Sequence, residues 1–198
     1  MEYMPHLSPL VFMAVLGMAG LPVLGVLVTL FRPELAKLSA LVVGVAATGY
    51  LALLLSLSLA SQEKVLAPGQ LKYFCEMDCH LAYTVADVRR EPQRTVVTVR
   101  VWFDEKTIGP NRGNSPLTEG DRHIELVDGQ GHVYTPSPVN LRRPLRPGES
   151  FTADLVFPAP SSASDPRLLI NMPEDLPSRF LLGHENSLLH KKIWFRVG

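Results

Sequence analysis

The only two cysteines of the chain fall in the stretch LKYFCEMDCHLAY, separated by three residues, with Met77 between them and His80 directly after Cys79. Thiolates, a thioether and an imidazole are soft ligands, and two cysteines at this spacing suit Cu(I) or a mixed-valence copper pair. Cys75, Met77, Cys79 and His80 are therefore the candidate metal ligands, with copper as the candidate cofactor. Outside the cytoplasm the same thiols could instead close a local disulfide. They could also lie separately buried in a strand.

Backbone geometry decides among these three readings. Every second residue from Leu71 (Leu71, Tyr73, Cys75, Met77, Cys79, Leu81, Tyr83, Val85) is apolar or a thiol. The opposite parity (Lys72, Phe74, Glu76, Asp78, His80, Ala82, Thr84, Ala86) is mostly polar or small, which is the alternation of a half-buried strand. In one continuous strand the cysteines share a face about 13 Å apart, beyond the roughly 7 Å that a disulfide allows, and His80 points away. A 71–85 strand is much longer than the usual five or six residues, however. A break at Glu76–Asp78 would bring the sulfurs together.

Other reactive residues form no enzyme signature: there is no G-x-S-x-G, no phosphate-binding glycine loop followed by Lys-Ser/Thr, and no dinucleotide fingerprint. His184 and His190 in HENSLLHKK stand six apart, whereas a zinc-protease helix needs four. That stretch reads as a polar turn before the last strand. The cluster LRRPLR is basic, but residues 63–198 carry as many Lys and Arg as Asp and Glu, so no net field draws nucleic acid.

The elements that must position these residues begin in a membrane. Leu7 to Phe31 and Leu38 to Gln62 are each 25 residues without a charge, longer than the roughly 20 needed to cross a bilayer. They predict a transmembrane helical hairpin over residues 1–62, with spans at about 8–31 and 38–61 and the lipid bilayer as first partner. A cleaved signal peptide carries a basic leader, whereas MEYMPH has Glu2 and neither Lys nor Arg. Arg32 and Lys37 assign the loop 32–37 to the cytoplasm and place the N-terminus and residues 63–198 outside it, in a multi-pass protein of the cell (inner) membrane. Pro22 sits mid-span, and Ala40, Gly44 and Thr48 form a small-residue ridge suited to the first helix or to another membrane subunit. Neither span holds an ionisable residue, which argues against an ion path.

After Gln62 the period becomes two. In TVVTVRVWF, Val97, Val99, Val101 and Phe103 share a face; in ESFTADLVF, Phe151, Ala153, Leu155 and Phe157 do; in KIWFRV, Ile193, Phe195 and Val197 do. HIELVDGQGHVYTP reads as a hairpin with its turn at Gly129–Gly131. Long helical patterns are missing between these strands, so an all-β sandwich of seven to nine strands is expected over 63–198. The connections Glu105–Gly120 and Ala159–Asp165 are expected to be surface loops.

In LRPGESFTADLVFPAP a Pro-Gly turn leads into an alternating strand that ends in FPAP. This resembles the later strands of telokin-like, immunoglobulin-type domains found outside the membrane in bacterial lipoproteins and anchored proteins. The resemblance implies an immunoglobulin-like sandwich over about residues 66–197 and carries no catalytic residue across. The gross layout, a membrane hairpin followed by an all-β domain, also resembles subunit II of the haem-copper oxidases, whose dinuclear copper site uses two cysteines at this spacing. That family places a histidine and a methionine where this chain has Tyr83 and Ala86, and its cysteines lie near the end of the β domain. The reading favoured by the whole sequence is a non-enzymatic, membrane-anchored extracytoplasmic module that binds or scaffolds a membrane or extracytoplasmic protein. Its alternative is a copper-binding or thiol-redox protein serving a respiratory or metal-handling complex through Cys75 and Cys79.

Overall fold

The structure, a computed structural model, describes residues 9–74, 80–109, 112–118 and 120–198. The chain divides into two compact units: one contains Glu63–Pro173 and Lys192–Gly198, the other the N-terminal helices together with Glu174–Lys191.

In the helical unit, α1 (Pro9–Phe31) and α2 (Ala36–Ala60) are joined by a single 3-10 turn at Pro33–Leu35, where a proline occupies the first helical turn. Among the described residues, Pro33–Ala60 is long and apolar enough to cross a membrane. Pro22 lies within α1 without ending it. The helices meet at Gly25: the Ser39 hydroxyl donates to its carbonyl at 3.1 Å, and a Cβ there would come within 2.9 Å of Val43. Glycine is what permits this approach. The contact face is thus Ser39 and Val43, one position round from the expected ridge. Ala40, Gly44 and Thr48 are exposed, and a Cβ on Gly44 would meet nothing within 4 Å.

The other unit holds eleven described strands: β1 (Lys64–Leu66), β2 (Lys72–Phe74), β3 (Leu81–Glu91), β4 (Arg94–Phe103), β5 (Leu117–Thr118), β6 (His123–Val127), β7 (Val133–Tyr134), β8 (Pro144–Leu145), β9 (Ser150–Phe157), β10 (Arg167–Asn171) and β11 (Ile193–Arg196). They form sheets ordered β1-β11-β10-β6-β7 and β2-β3-β4-β9, plus the small pair β5-β8. The count exceeds seven to nine because two-residue strands such as β5, β7 and β8 are too short to show a period.

Alternation is realised where it was expected. Val97, Val99, Val101 and Phe103 of β4 are buried while Arg100 is exposed, and Leu155 and Phe157 of β9 are buried while Thr152 and Asp154 are exposed. These join Leu126, Leu168, Ile170, Ile193 and Phe195 from the other large sheet in one hydrophobic cluster. Each fully buried side chain of this kind stabilises by about 1.5–3 kcal/mol. A bulge between Val85 and Asp87 bends β3 at the end of its fully buried stretch.

The continuous strand over 71–85 is not formed. Instead β2 and β3 pair antiparallel, with Lys72 opposite Tyr83 and Phe74 opposite Leu81, so the chain reverses between them. The parity changes at the reversal: Phe74, on the parity read as polar, stands opposite Leu81 and joins the core cluster with Tyr83 and Val85, while Tyr73 stands opposite Ala82.

The expected HIELVDGQGHVYTP hairpin is β6–β7, antiparallel with Leu126 opposite Tyr134. Asp128 organises its turn. Its carboxylate accepts the amides of Gln130 and His132, both at 2.9 Å, and lies 3.0 Å from His132 Nδ1, while Gly131 adopts φ 85°. Burial alone would raise the Asp128 pKa, but the bonds from the His132 ring, the His132 amide and the Gln130 amide outweigh it and hold the carboxyl below its usual range. A lowered folded-state value means that the stabilisation is present above the ordinary aspartate pKa of about 4 and is lost as pH falls through the lowered value. Asp128→Asn, which cannot ionise, should unfold at lower temperature than the parent near neutral pH. The gap should narrow on acidification below about pH 4, as read by thermal melts of the full chain in micelles across that range.

Candidate functional site

Three of the four candidate ligands, Cys75, Met77 and Cys79, lie outside the described residues; His80 lies within them. Around the two limbs of the β2–β3 reversal the structure gathers buried polar groups that the sequence scatters. The first is Lys72, whose side chain is 0 % exposed. Its ammonium donates to the Ile170 carbonyl at 2.6 Å and to Asn171 Oδ1 at 2.7 Å, and lies 4.8 Å from the centre of the Phe74 ring. Arg122 covers the same ring at 4.5 Å, and Tyr83 meets Phe74 edge-on at 5.2 Å. Two cations thus share one aromatic ring.

The second group centres on Asp104, just past the end of β4. Tyr73 donates its hydroxyl to Asp104 Oδ2 at 2.6 Å, while Oδ1 accepts the Lys106 amide at 3.0 Å and caps the 3-10 turn Glu105–Thr107. The Asp104 amide donates to the His80 carbonyl at 2.8 Å. Thr107 returns its hydroxyl proton to the Asp104 carbonyl at 2.7 Å, and its oxygen lies 2.7 Å from His80 Nδ1. A threonine hydroxyl has one proton, and here it is engaged on the carbonyl, so the proton in the His80 contact belongs to Nδ1. Histidines that bind metals commonly have one ring nitrogen held in this way by a second group. The ring stacks on Phe103 at 5.5 Å, and Arg112 covers Phe103 at 5.1 Å.

Among the described residues, no three of His, Cys, Asp or Glu gather as a metal site.

A second feature of this unit is an open groove of about 420 Å³ between residues 120–124 and 135–142, with Arg122, His123, Val139 and Arg142 in its walls. Arg142 is ion-paired with Asp121 across it. Its far wall is fixed by the Ser137 amide on the Val156 carbonyl at 2.8 Å, and Asn140 Oδ1 accepts the Arg142 amide at 2.9 Å. Arg122 belongs to both features, with its guanidinium on Phe74 and its residue in the groove wall.

Sequence reasoning missed most of this. It put Lys72 on the polar parity, but partners 98 and 99 residues away bury it, and nothing local announces them. His80 was expected to point away from the core face and is buried on Phe103 instead. The one available signal was the acidic interruption EMD between apolar limbs, which marked a break. No protein-family model, curated protein or solved structure matches the chain.

Tyr73→Phe removes one donor and leaves a buried carboxylate oxygen without it. Urea unfolding should show a loss of about 1–3 kcal/mol, the penalty for a buried acceptor deprived of its partner. Loss within error of zero would show that the bond adds nothing to holding β2.

Proposed function

We propose that this chain is a membrane-anchored, non-enzymatic binding module. Both α1 and α2 cross the cell membrane with the loop 32–37 in the cytoplasm, and the β-rich unit, an immunoglobulin-like sandwich, stands outside and engages a protein partner. The observation that carries the binding role is the groove at 120–124 and 135–142, whose walls are tied to the sheets by backbone bonds and which presents Arg122, His123 and Arg142. Rigid concave surfaces with a few placed polar groups are where sandwich domains bind. The buried polar groups support the non-enzymatic part of the reading, because Tyr73, Asp104 and Thr107 act as struts between strands and turns.

A photo-crosslinking residue placed at Val139 in the full chain, in its native membrane, should yield one discrete protein adduct. Arg142→Glu, which breaks the pair with Asp121 and reverses the charge of the wall, should reduce it severalfold. If Val139 gives no adduct, or if the adduct is indifferent to Arg142→Glu, the groove is not the binding surface.

A second reading rests on the reversal between Phe74 and Leu81. The argument that kept Cys75 and Cys79 about 13 Å apart assumed a straight strand, and that strand is not formed. In this reading the two thiols, with His80 Nε2, hold Cu(I) or carry a disulfide for a respiratory or metal-handling complex. Thiol titration of the unreduced full chain discriminates: no free thiol even after denaturation indicates a disulfide, and two thiols protected in the folded chain by added Cu(I) indicate a metal site. Two thiols that copper leaves unprotected return the reading to buried cysteines.

A further inference from the structure

The segment Glu174–Lys191, between β10 and β11, clusters with the helices rather than with the strands that flank it in sequence. Its C-terminal end and Phe180 touch α2 at different heights. The Lys191 amide donates to Ser61 Oγ at 2.8 Å, at the C-terminal end of α2, while Tyr50, eleven residues earlier, donates its hydroxyl to the Phe180 carbonyl. At 1.5 Å per residue the segment therefore descends along α2 by about 16 Å, half of a bilayer core of about 30 Å. Pro177, Phe180 and Leu181 close an apolar cavity of about 470 Å³ against Pro22, Val43 and Tyr50 of the hairpin.

We infer that Glu174–Lys191 is a lipid-inserted element, lying in the outer leaflet beside the hairpin with its exposed apolar side chains against acyl chains. The inference rests on the reading that α2 crosses the membrane; given that, whatever packs on α2 as deep as Tyr50 is inside the bilayer. Irregular backbone survives there only where its polar groups are satisfied by protein. Much of the backbone of this segment meets that condition. The amides of Phe180, Leu181, His184, Ser187 and Leu188 donate to carbonyls of the same segment at 2.9–3.3 Å, and the Ser178 amide donates to Asp175 Oδ1 at 2.8 Å.

The side chains agree with lipid as the occupant. Among the described residues, of the large apolar ones exposed outside α1, α2 and the turn that joins them, all but Val133 lie in this segment: Leu176 at 70 %, Phe180, Leu188, and Leu189 at 57 %. Leu189 is held at φ 64°, a left-handed conformation that a bulky side chain adopts only when its surroundings impose it. The arginine beside Phe180, Arg179, is 3.4 Å from Glu174, so its charge is paired within the segment.

The test uses the full chain in phosphatidylcholine vesicles with or without bromine on the acyl chains, with the emission of Trp102 and Trp194 subtracted from the parent. Leu53→Trp reports α2, Val133→Trp reports the β-rich unit, and Phe180→Trp and Leu189→Trp report the segment. The expected result is that both segment tryptophans lose emission to bromine as much as Leu53→Trp does, while Val133→Trp keeps its emission. If the two segment sites behave like Val133→Trp while Leu53→Trp is quenched, the insertion is wrong and the membrane helix stands. If Leu53→Trp is also unquenched, both fall. Segment sites shielded only at high protein-to-lipid ratio would assign the face to a second copy of the chain and overturn lipid contact.

Discussion

A polar group that this chain withdraws from water is costly unless it finds a partner inside, and much of the arrangement within each unit follows from that demand. Leaving a buried donor or acceptor unmatched costs about 1–3 kcal/mol, a large fraction of the stability of a domain. The two apolar helices satisfy their own backbone, which is why sequence with almost no polar side chains takes that form. The sheets do the same between strands. What remains to be solved is the backbone at reversals and the polar side chains caught beneath them, and these are the places where the structure is most specific.

Lys72 is the clearest instance. An ammonium at the start of a short strand is buried, and its protons are placed on the Ile170 carbonyl and Asn171 Oδ1 at the far end of β10. Those bonds tie the sheet containing β2 to the sheet containing β10, so a residue that weakens a hydrophobic core in isolation fixes the register of one sheet on the other. Removing one side of such an arrangement is more harmful than replacing all of it, because the orphaned groups stay buried. The Phe74 ring, with Lys72 and Arg122 on it, supplies the remaining compensation through its π face.

Legibility from sequence followed the range of the interactions. The faces of β4, β9 and β11 were legible because alternation is a local property that one buried core enforces along each strand. The β6–β7 hairpin was legible because Asp128 and Gly131 carry their turn chemistry within five residues. The helix contact was half legible: small residues marked an interface, but Gly25 and Ser39, not the Ala40 ridge, make it, since the rotation of one helix against the other is set by the partner. The 71–85 stretch misled for a physical reason. In a hairpin each limb keeps the period of a strand while the phase is free to change at the turn, as it does between Phe74 and Leu81, so the parity read straight through gave β2 the wrong face. Lys72, Asp104 and the groove were not legible, because each depends on contacts made by residues far apart in the chain.

Asp104 changes how the cysteine question should be posed. It holds the β2 limb through the Tyr73 hydroxyl and the β3 limb through its own amide on the His80 carbonyl, and Thr107 locks the turn that carries it while engaging His80 Nδ1. Both ends of the connection 75–80 are therefore clamped by residues 104–107 of a different loop, through bonds that involve no sulfur. In the proposed binding module, the thiols can then be replaced without undoing the hairpin. In the copper reading, the same clamp would hold the His80 ring through Nδ1 beside the ligand set.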